Sequence, residues 1–388
     1  MIQTENDTLN IKKTRLGIAC FFFISGFGFA SWACRIPALQ QQLHLNNAAL
    51  GSTLFALPLG LILTLPLTSY LLSRYSSRYV MLLGTIASIG LLSLLGFVTA
   101  TWQFVIVLFL SGSARNLMNI SVNAQSVGVQ KLYEKSIIAT FHGIWSVSGF
   151  TAAFFGAILI GEDVPTWQHF VMVAFISLLV LAFAFKHTVK NDVQKNEKKG
   201  SKALFNLPNR SLLKLGLIGF ACMACEGIMY DWSGIYFKTI VQAPKTWETV
   251  GYASFMCAAA SGRFLGDWIT NKLGAKKLLQ TSGSMVVIGM LLSIIFPYLI
   301  TATIGFVCIG LGISCIIPIT MSLAGKTSNQ SAGVAIASIS TVSYFGFLLF
   351  PPIIGYIAET IGLQFSFGLG ACMGLIIVIL VTKIKITH

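Results

Sequence analysis

Twelve apolar stretches, split six and six by the only long charged linker in the chain, leave this sequence little choice of fold. They run 15–38, 47–73, 79–100, 102–125, 136–160 and 166–186, then 212–238, 247–271, 276–298, 300–324, 332–358 and 363–383. Each is close to the roughly 20 residues that an α-helix needs to cross the hydrocarbon core of a bilayer. Lipid offers no partner for backbone N–H and C=O groups, so spanning runs of this length must be helices. The expectation is an all-α membrane protein with twelve transmembrane helices in two pseudo-symmetric bundles. Residues 1–186 form one six-helix bundle, 211–388 the other, and 187–210 a basic cytoplasmic linker, HTVKNDVQKNEKKGSKALFNLPNR. Two halves of similar length are the layout of a duplicated transporter with its substrate path near the bilayer midplane.

Composition excludes most soluble functions. Hydrophobic residues make up 55% of the chain and charged residues 10%, against about 25% charged in soluble proteins. Residues 1–14 lack a short apolar core with a small-residue cleavage site, so no removable signal peptide is expected and the first helix acts as the insertion signal. A net charge of +14 raises the question of nucleic acid, but its placement answers it. Lys12, Lys13, Arg15, Arg74, Arg78, Lys131 and the linker lysines fall on one side, while Lys238 and Lys245 fall on the other. That asymmetry is the positive-inside pattern. It places the chain in the cell inner membrane with both termini cytoplasmic, and gives nucleic acid no role. The eight cysteines all lie in apolar runs, and the Cys222–Cys225 pair has no second pair or nearby His to complete a metal set. Neither a metal nor a cofactor is expected.

Few ionisable residues enter the apolar runs, and those few are the functional candidates. Glu226 lies near the middle of the seventh stretch and Asp231 five residues nearer the outside. Both suit a group that must gain and lose a proton during transport; the alternative is a static interhelical bond. Arg115, in the fourth stretch, is the expected counter-charge, or else a substrate contact through its fork of donors. Asn116, Asn119 and Asn123 follow i, i+3, i+7 spacing and so share a face. His142 and Trp145 are one turn apart in the fifth stretch, where the histidine either relays a proton or packs with a satisfied hydrogen bond. Tyr230 follows Glu226 by one turn, and either binds substrate or packs. Arg35, one turn beyond Trp32, is either part of a substrate path and outer gate or a snorkelling side chain beside an interface tryptophan. Pro58, Pro66 and the pair Pro351-Pro352 are expected to bend their helices.

A resemblance enters at Gly262-Arg263-Phe264-Leu265-Gly266-Asp267, with Lys272, Gly274, Lys276 and Lys277 after it. This resembles the intracellular loop signature of the major facilitator superfamily, in the form seen in its fucose–proton symporter branch. The corresponding stretch of the first half, Ser69 to Arg78, is a degraded copy. Arg74 and Arg78 match the basic positions, but Ser73 replaces the usual acid and Ser76 the usual glycine. FASWACRIPAL (29–39), VNAQSVGVQ with FHGIWSVSG (122–149) and CEGIMYDWSGIY (225–236) resemble the YbjJ-like bacterial inner-membrane proteins. The resemblance implies the major facilitator fold, with helices one, four, seven and ten lining a cavity. It also implies a gating role for Arg74, Arg78, Arg263 and Asp267, the last capping a helix or pairing with Arg263.

The expected function is secondary active transport of a small polar solute, sugar-like or another metabolite, by alternating access, with proton symport. The expected partners are that solute, protons and the lipid bilayer, and the expected state is a monomer. Proton-driven efflux of a metabolite or drug is the alternative, although GIWSVSGFTAAFFGAIL lacks the Gly-Pro pair of superfamily drug antiporters. No GxSxG, HExxH or GxxxxGK[ST] points to an enzyme or to ATP-driven transport. Solute flux in liposomes separates a transporter from a membrane sensor or an intramembrane enzyme.

Overall fold

The computed structural model describes residues 2–134, 137–189, 210–327 and 332–384. Most of the expected linker, 190–209, lies outside them, as does Lys135. The apolar stretches form α1 (Ile2–Gln42), α2 (Asn47–Leu54), α3 (Ala56–Leu63), α4 (Leu65–Arg74), α5 (Ser77–Leu95), α6 (Thr101–Gln130), α7 (Ile138–Gly161) and α8 (Thr166–Ala184). There follow α9 (Arg210–Thr239), α10 (Val250–Leu273), α11 (Ala275–Ile295), α12 (Leu299–Ile313), α13 (Ile316–Thr327), α14 (Ala332–Thr360), α15 (Leu363–Ser366) and α16 (Gly368–Thr382). Among the described residues eleven helical segments are long and apolar enough to cross a membrane. The remaining expected span, 247–271, is α10, which carries Arg263 within it.

Proline decides where the spans break. Pro58 and Pro66 have no N–H to give to the carbonyls of Leu54 and Ile62, and the second stretch is divided at Phe55 and Thr64 into α2, α3 and α4. A threonine hydroxyl satisfies a nearby carbonyl there: Thr64 donates to Gly60 O at 2.8 Å. Pro318 stands four residues beyond Ser314, and the tenth stretch breaks at Ser314–Cys315 in the same way. Pro351 and Pro352 behave differently, since α14 runs through both without interruption.

The helices divide into two compact units. One holds Met1–Leu43 with Ala56–Glu197; the other holds Lys198–His388 together with His44–Phe55. In the first, α1 packs against α7 and α8, α5 against α6, and α3 against α6. Its core joins Ile18, Phe21, Phe22, Met81, Met118 and Phe141, with Phe22 stacked on Phe141 at 5.3 Å. Gly60 and Gly112 let α3 and α6 approach closely: a Cβ at Gly60 would strike the carbonyl of Phe109, and one at Gly112 the carbonyl of Leu57. Lipid supplies no hydrophobic force between helices, so such backbone proximity and the dispersion it brings hold the pair together.

In the second unit α14 lies against α9 and α2, and α11 against α12 and α16. Tyr236, Phe237, Phe306 and Phe367 form a buried aromatic group, and the Tyr236 hydroxyl donates to Ser293 O at 2.6 Å. α2 belongs here through Gly51, whose Cβ would sit 2.5 Å from Pro351 O, and through the Asn47 N–H, which donates to Glu359 Oε2 at 2.9 Å.

Candidate functional site

Each unit keeps a polar group of residues inside apolar helices. In the second unit it begins on α9, where Glu226, Tyr230 and Asp231 are all buried. Arg263 reaches Glu226 from α10, its guanidinium donating to Glu226 Oε1 at 3.1 Å. The same guanidinium hydrogen-bonds the Tyr230 hydroxyl, one turn further along α9. This corrects two expectations. Arg263 is not in a loop: the helix continues ten residues past it, because nothing breaks the run before Gly274, whose φ of 78° favours glycine. The ion pair of Glu226 is with Arg263 rather than with Arg115. The side chain of Asp267 lies outside the described residues.

Tyr230 is also walled by aromatic rings, with Tyr252, Phe255 and Phe347 at 6.2, 5.8 and 6.4 Å between centroids. It is fixed both at its hydroxyl and around its ring. Asp231 differs, being 8% exposed with no hydrogen bond or ion pair to another described residue.

In the first unit the polar residues lie on α1 and α6. Arg115 places its guanidinium over the Phe29 ring, 4.2 Å from the centroid, an arrangement worth about 0.5–2 kcal/mol depending on desolvation. Trp145 stacks on the same Phe29 ring, 6.3 Å between centroids. The asparagine stripe does not act as one face. Asn116 is buried and accepts from Thr68 Oγ1 at 2.5 Å, Asn119 accepts from Ser25 Oγ at 3.0 Å, and Asn123 is exposed and donates back to Asn119 O at 2.8 Å. One joins α6 to α4, one joins α6 to α1, and the third turns back on its own helix. Spacing gave them a common side, but neighbouring helices divided it.

A small cavity of about 50 Å³ lies beside Arg115 and Phe29, with Trp32, Ser88, Ser111 and Ser177 also in its wall. The hydroxyls of Ser88 and Ser111 are buried with no hydrogen-bond partner among the described residues. His142 lies outside this cavity; it is exposed on α7 and meets the edge of Phe22 at 5.4 Å.

The basic residues expected to gate the first unit occupy its helix ends. Arg78 donates to Phe185 O at 3.2 Å and lies over the Phe185 ring at 4.2 Å, tying the start of α5 to the end of α8. Arg74, in the last turn of α4, covers the ring of Tyr70 at 4.8 Å.

Arg35 and Trp32 correct the snorkelling alternative, because α1 continues to Gln42 and both are buried, at 5% and 3% exposure. Arg35 Nε donates to His169 Nδ1 and its terminal nitrogen to Val164 O, each at 2.9 Å. An arginine has only donors, so the accepting Nδ1 of His169 carries no proton and the imidazole hydrogen sits on Nε2. That nitrogen is buried without a partner among the described residues. His169 went unnoticed in the sequence; the signal available was a histidine inside the apolar run Thr166-Trp167-Gln168-His169-Phe170. Replacing it by leucine strands the Nε–H of Arg35, at a cost of about 1–3 kcal/mol. The purified His169→Leu protein should melt below the parent, and an unchanged melting temperature would refute the bond.

Comparison with known proteins bears on the family and the fold. The family description that matches the chain, over residues 18–351, is the Major Facilitator Superfamily. An uncharacterized MFS-type transporter of Yersinia pestis is 30% identical over 92% of this chain and 91% of its own length. Membrane protein MosC of Rhizobium meliloti is 29% identical over 91% of this chain and 85% of its own. Among solved structures, the nucleoside transporter NupG aligns with a TM-score of 0.79 at 13% identity, covering 95% of this chain and 99% of that one. The E. coli fucose:proton symporter FucP aligns at 0.65 and 16% identity, over 96% and 98%. At those identities the solved structures speak for the fold alone.

Proposed function

The chain belongs to the Major Facilitator Superfamily, a multi-pass membrane transporter of a small solute, and from that premise we propose proton-coupled symport by alternating access. The observation that carries the coupling is the Glu226–Arg263 pair. A carboxylate well inside a spanning helix is expensive unless a cation or a proton compensates it. Here the cation comes from an adjacent helix, so gain of a proton by Glu226 would release Arg263, and loss would recapture it. Asp231, buried without a partner among the described residues, is the second exchanging group. His142, Arg74, Arg78 and Asp267 take supporting roles, the first as a relay and the others in gating. The solute is small and polar, which fits Arg115, Asn119, Tyr230 and the tryptophans. It is also in keeping with two fold neighbours, a nucleoside transporter and a fucose:proton symporter. The proposed setting is the bacterial inner membrane, with both termini cytoplasmic, a monomeric state and residues 187–210 linking the two halves.

The test is external pH during addition of single solutes to proteoliposomes. Alkalinisation with one solute establishes symport and identifies its cargo. Glu226→Gln should abolish proton-driven accumulation while leaving counterflow exchange. Accumulation that persists in that variant transfers coupling to Asp231 or His142.

A further inference from the structure

We infer that the turn joining α4 to α5 holds the phosphate of an anionic phospholipid. This goes beyond the transport reading, since it concerns a lipid ligand at one end of the first unit and holds whatever solute is carried.

The turn is rich in cations and has no acid to meet them. Between Asp7 and Glu134 the sequence carries no Asp or Glu, and Ser73 stands where the second half's copy of this stretch has Asp267. Arg74, at the end of α4, is exposed and rests on the Tyr70 ring at 4.8 Å. Arg78, in the first turn of α5, is half-buried on the carbonyl and ring of Phe185, and its Nε has no partner among the described residues. Lys186, next to Phe185, is exposed and adds a third positive charge. Among the described residues no ion pair joins either arginine to a carboxylate.

The surroundings of that charge suit a lipid headgroup better than a soluble anion. Arg74 closes one segment long and apolar enough to cross a membrane, Asn47–Arg74, and Ser77 opens the next, so the turn lies at the membrane surface. Tyr70, Tyr75 and Tyr79 are each 50–60% exposed around it, and amphipathic rings of this kind collect at the headgroup level of a bilayer. Leu67, Tyr70 and Arg74 follow i, i+3, i+7 spacing on α4, while Tyr79, Leu83 and Ile86 follow i, i+4, i+7 on α5, so each set shares one side of its helix. All six are exposed. Each side therefore passes from polar at the turn to apolar deeper along the helix, as a phospholipid does from headgroup to acyl chain. The guanidinium of Arg74 offers a planar fork that matches two phosphate oxygens. Arg78 and Lys186 add attraction at short range, and this falls off within a Debye length of the surface. A phosphate in water, or an acidic peptide, would engage Arg74 but leave both apolar sides unused. A zwitterionic lipid brings the phosphate but cancels it with a cation of its own.

The test is native mass spectrometry of the full chain, released from detergent micelles that hold equal amounts of dioleoylphosphatidylglycerol and dioleoylphosphatidylcholine. The two lipids share acyl chains and differ in net charge. The last lipid retained should be phosphatidylglycerol, by about fivefold over phosphatidylcholine, the effect of one basic side chain near an anionic surface. Arg74→Gln should remove that preference, and Arg74→Lys should keep part of it, since it retains the charge but not the fork. Lys276→Gln, which removes one exposed charge from the second unit, should leave the preference unchanged. The Arg74→Gln protein should melt with the parent in phosphatidylcholine, because the side chain it loses is exposed. No preference in the parent, or a preference that survives in Arg74→Gln, overturns the inference. An equal loss in Lys276→Gln does so too, since net charge alone would then attract the lipid. Displacement of the retained lipid by millimolar glycerol phosphate would also overturn it, because an anion without acyl chains would suffice.

Discussion

Arg263→Met should destabilise the protein by about 3–5 kcal/mol, the usual result of removing one partner of a buried ion pair. The carboxylate of Glu226 would then remain 9% exposed, among apolar side chains, with its cation gone. Methionine fills much of the same volume, so the loss is electrostatic rather than a packing void. Arg263 also holds the Tyr230 hydroxyl, which adds a second unmade bond. Glu226→Gln should cost less, because a neutral amide still accepts from the guanidinium. The informative variant is the double one. Glu226→Gln with Arg263→Met leaves no charge at either position of the pair, and should be more stable than Arg263→Met alone although it carries one more substitution. A double-mutant cycle on unfolding midpoints reads this directly. Strictly additive costs would mean that the two side chains do not interact, and the proton-exchange reading of Glu226 would lose its basis.

Gly112→Val should be the most damaging single change in the first unit. Its side chain would be driven into the backbone of α3, where Leu57 C and Leu61 N lie 2.9 and 3.0 Å from the new Cβ and the Leu57 carbonyl oxygen nearer still. Backbone cannot swing aside as a side-chain tip can, and Pro58, next to Leu57, fixes φ there. Overpacking usually costs roughly 1–3 kcal/mol, and this contact belongs at or beyond the upper end. The reciprocal contact of Gly60 with Phe109 would be pried open with it. Gly90→Val provides the control, since a Cβ at Gly90 meets nothing within 4 Å; its effect should stay within about 0.5 kcal/mol. Measured yields and melting temperatures of the two proteins check the pair. A Gly112→Val protein that folds and melts like the parent would refute the close packing of α3 on α6.

The helices were legible in the sequence because length and apolarity alone determine which runs can cross lipid. Their partners were not. Glu226 takes Arg263, 37 residues away on the next helix, whereas its expected counter-charge Arg115 rests on Phe29 in the other unit. Spacing says which residues share a side of one helix, but not which helix faces that side. The asparagines of α6 make the same point, since regular spacing carried them to three different destinations. Proline was partly legible. Pro58 and Pro66 do interrupt their span, and Pro318 does so too, by the same loss of an N–H; yet α14 passes unbroken through Pro351 and Pro352. Arg35 was ambiguous for want of a partner, and His169, the residue that resolves it, showed no periodic or motif signal of its own.

The turn at Phe55 has a consequence for taking the molecule apart. The chain changes compact unit there, after one short helix, so that α2 is covalently part of the first half but packs with the second. A chain cut within 190–209 would yield two fragments, of which the carboxy-terminal one lacks part of its own unit. The carboxy-terminal piece would lack the helix that covers Pro351 and Gly355, and the amino-terminal piece would carry that helix as a spare. Co-expressed, the pieces have reason to reassociate; expressed alone, the second should be the poorer of the two at folding. The linker is the obvious place to divide the sequence, but the protein is not divisible there.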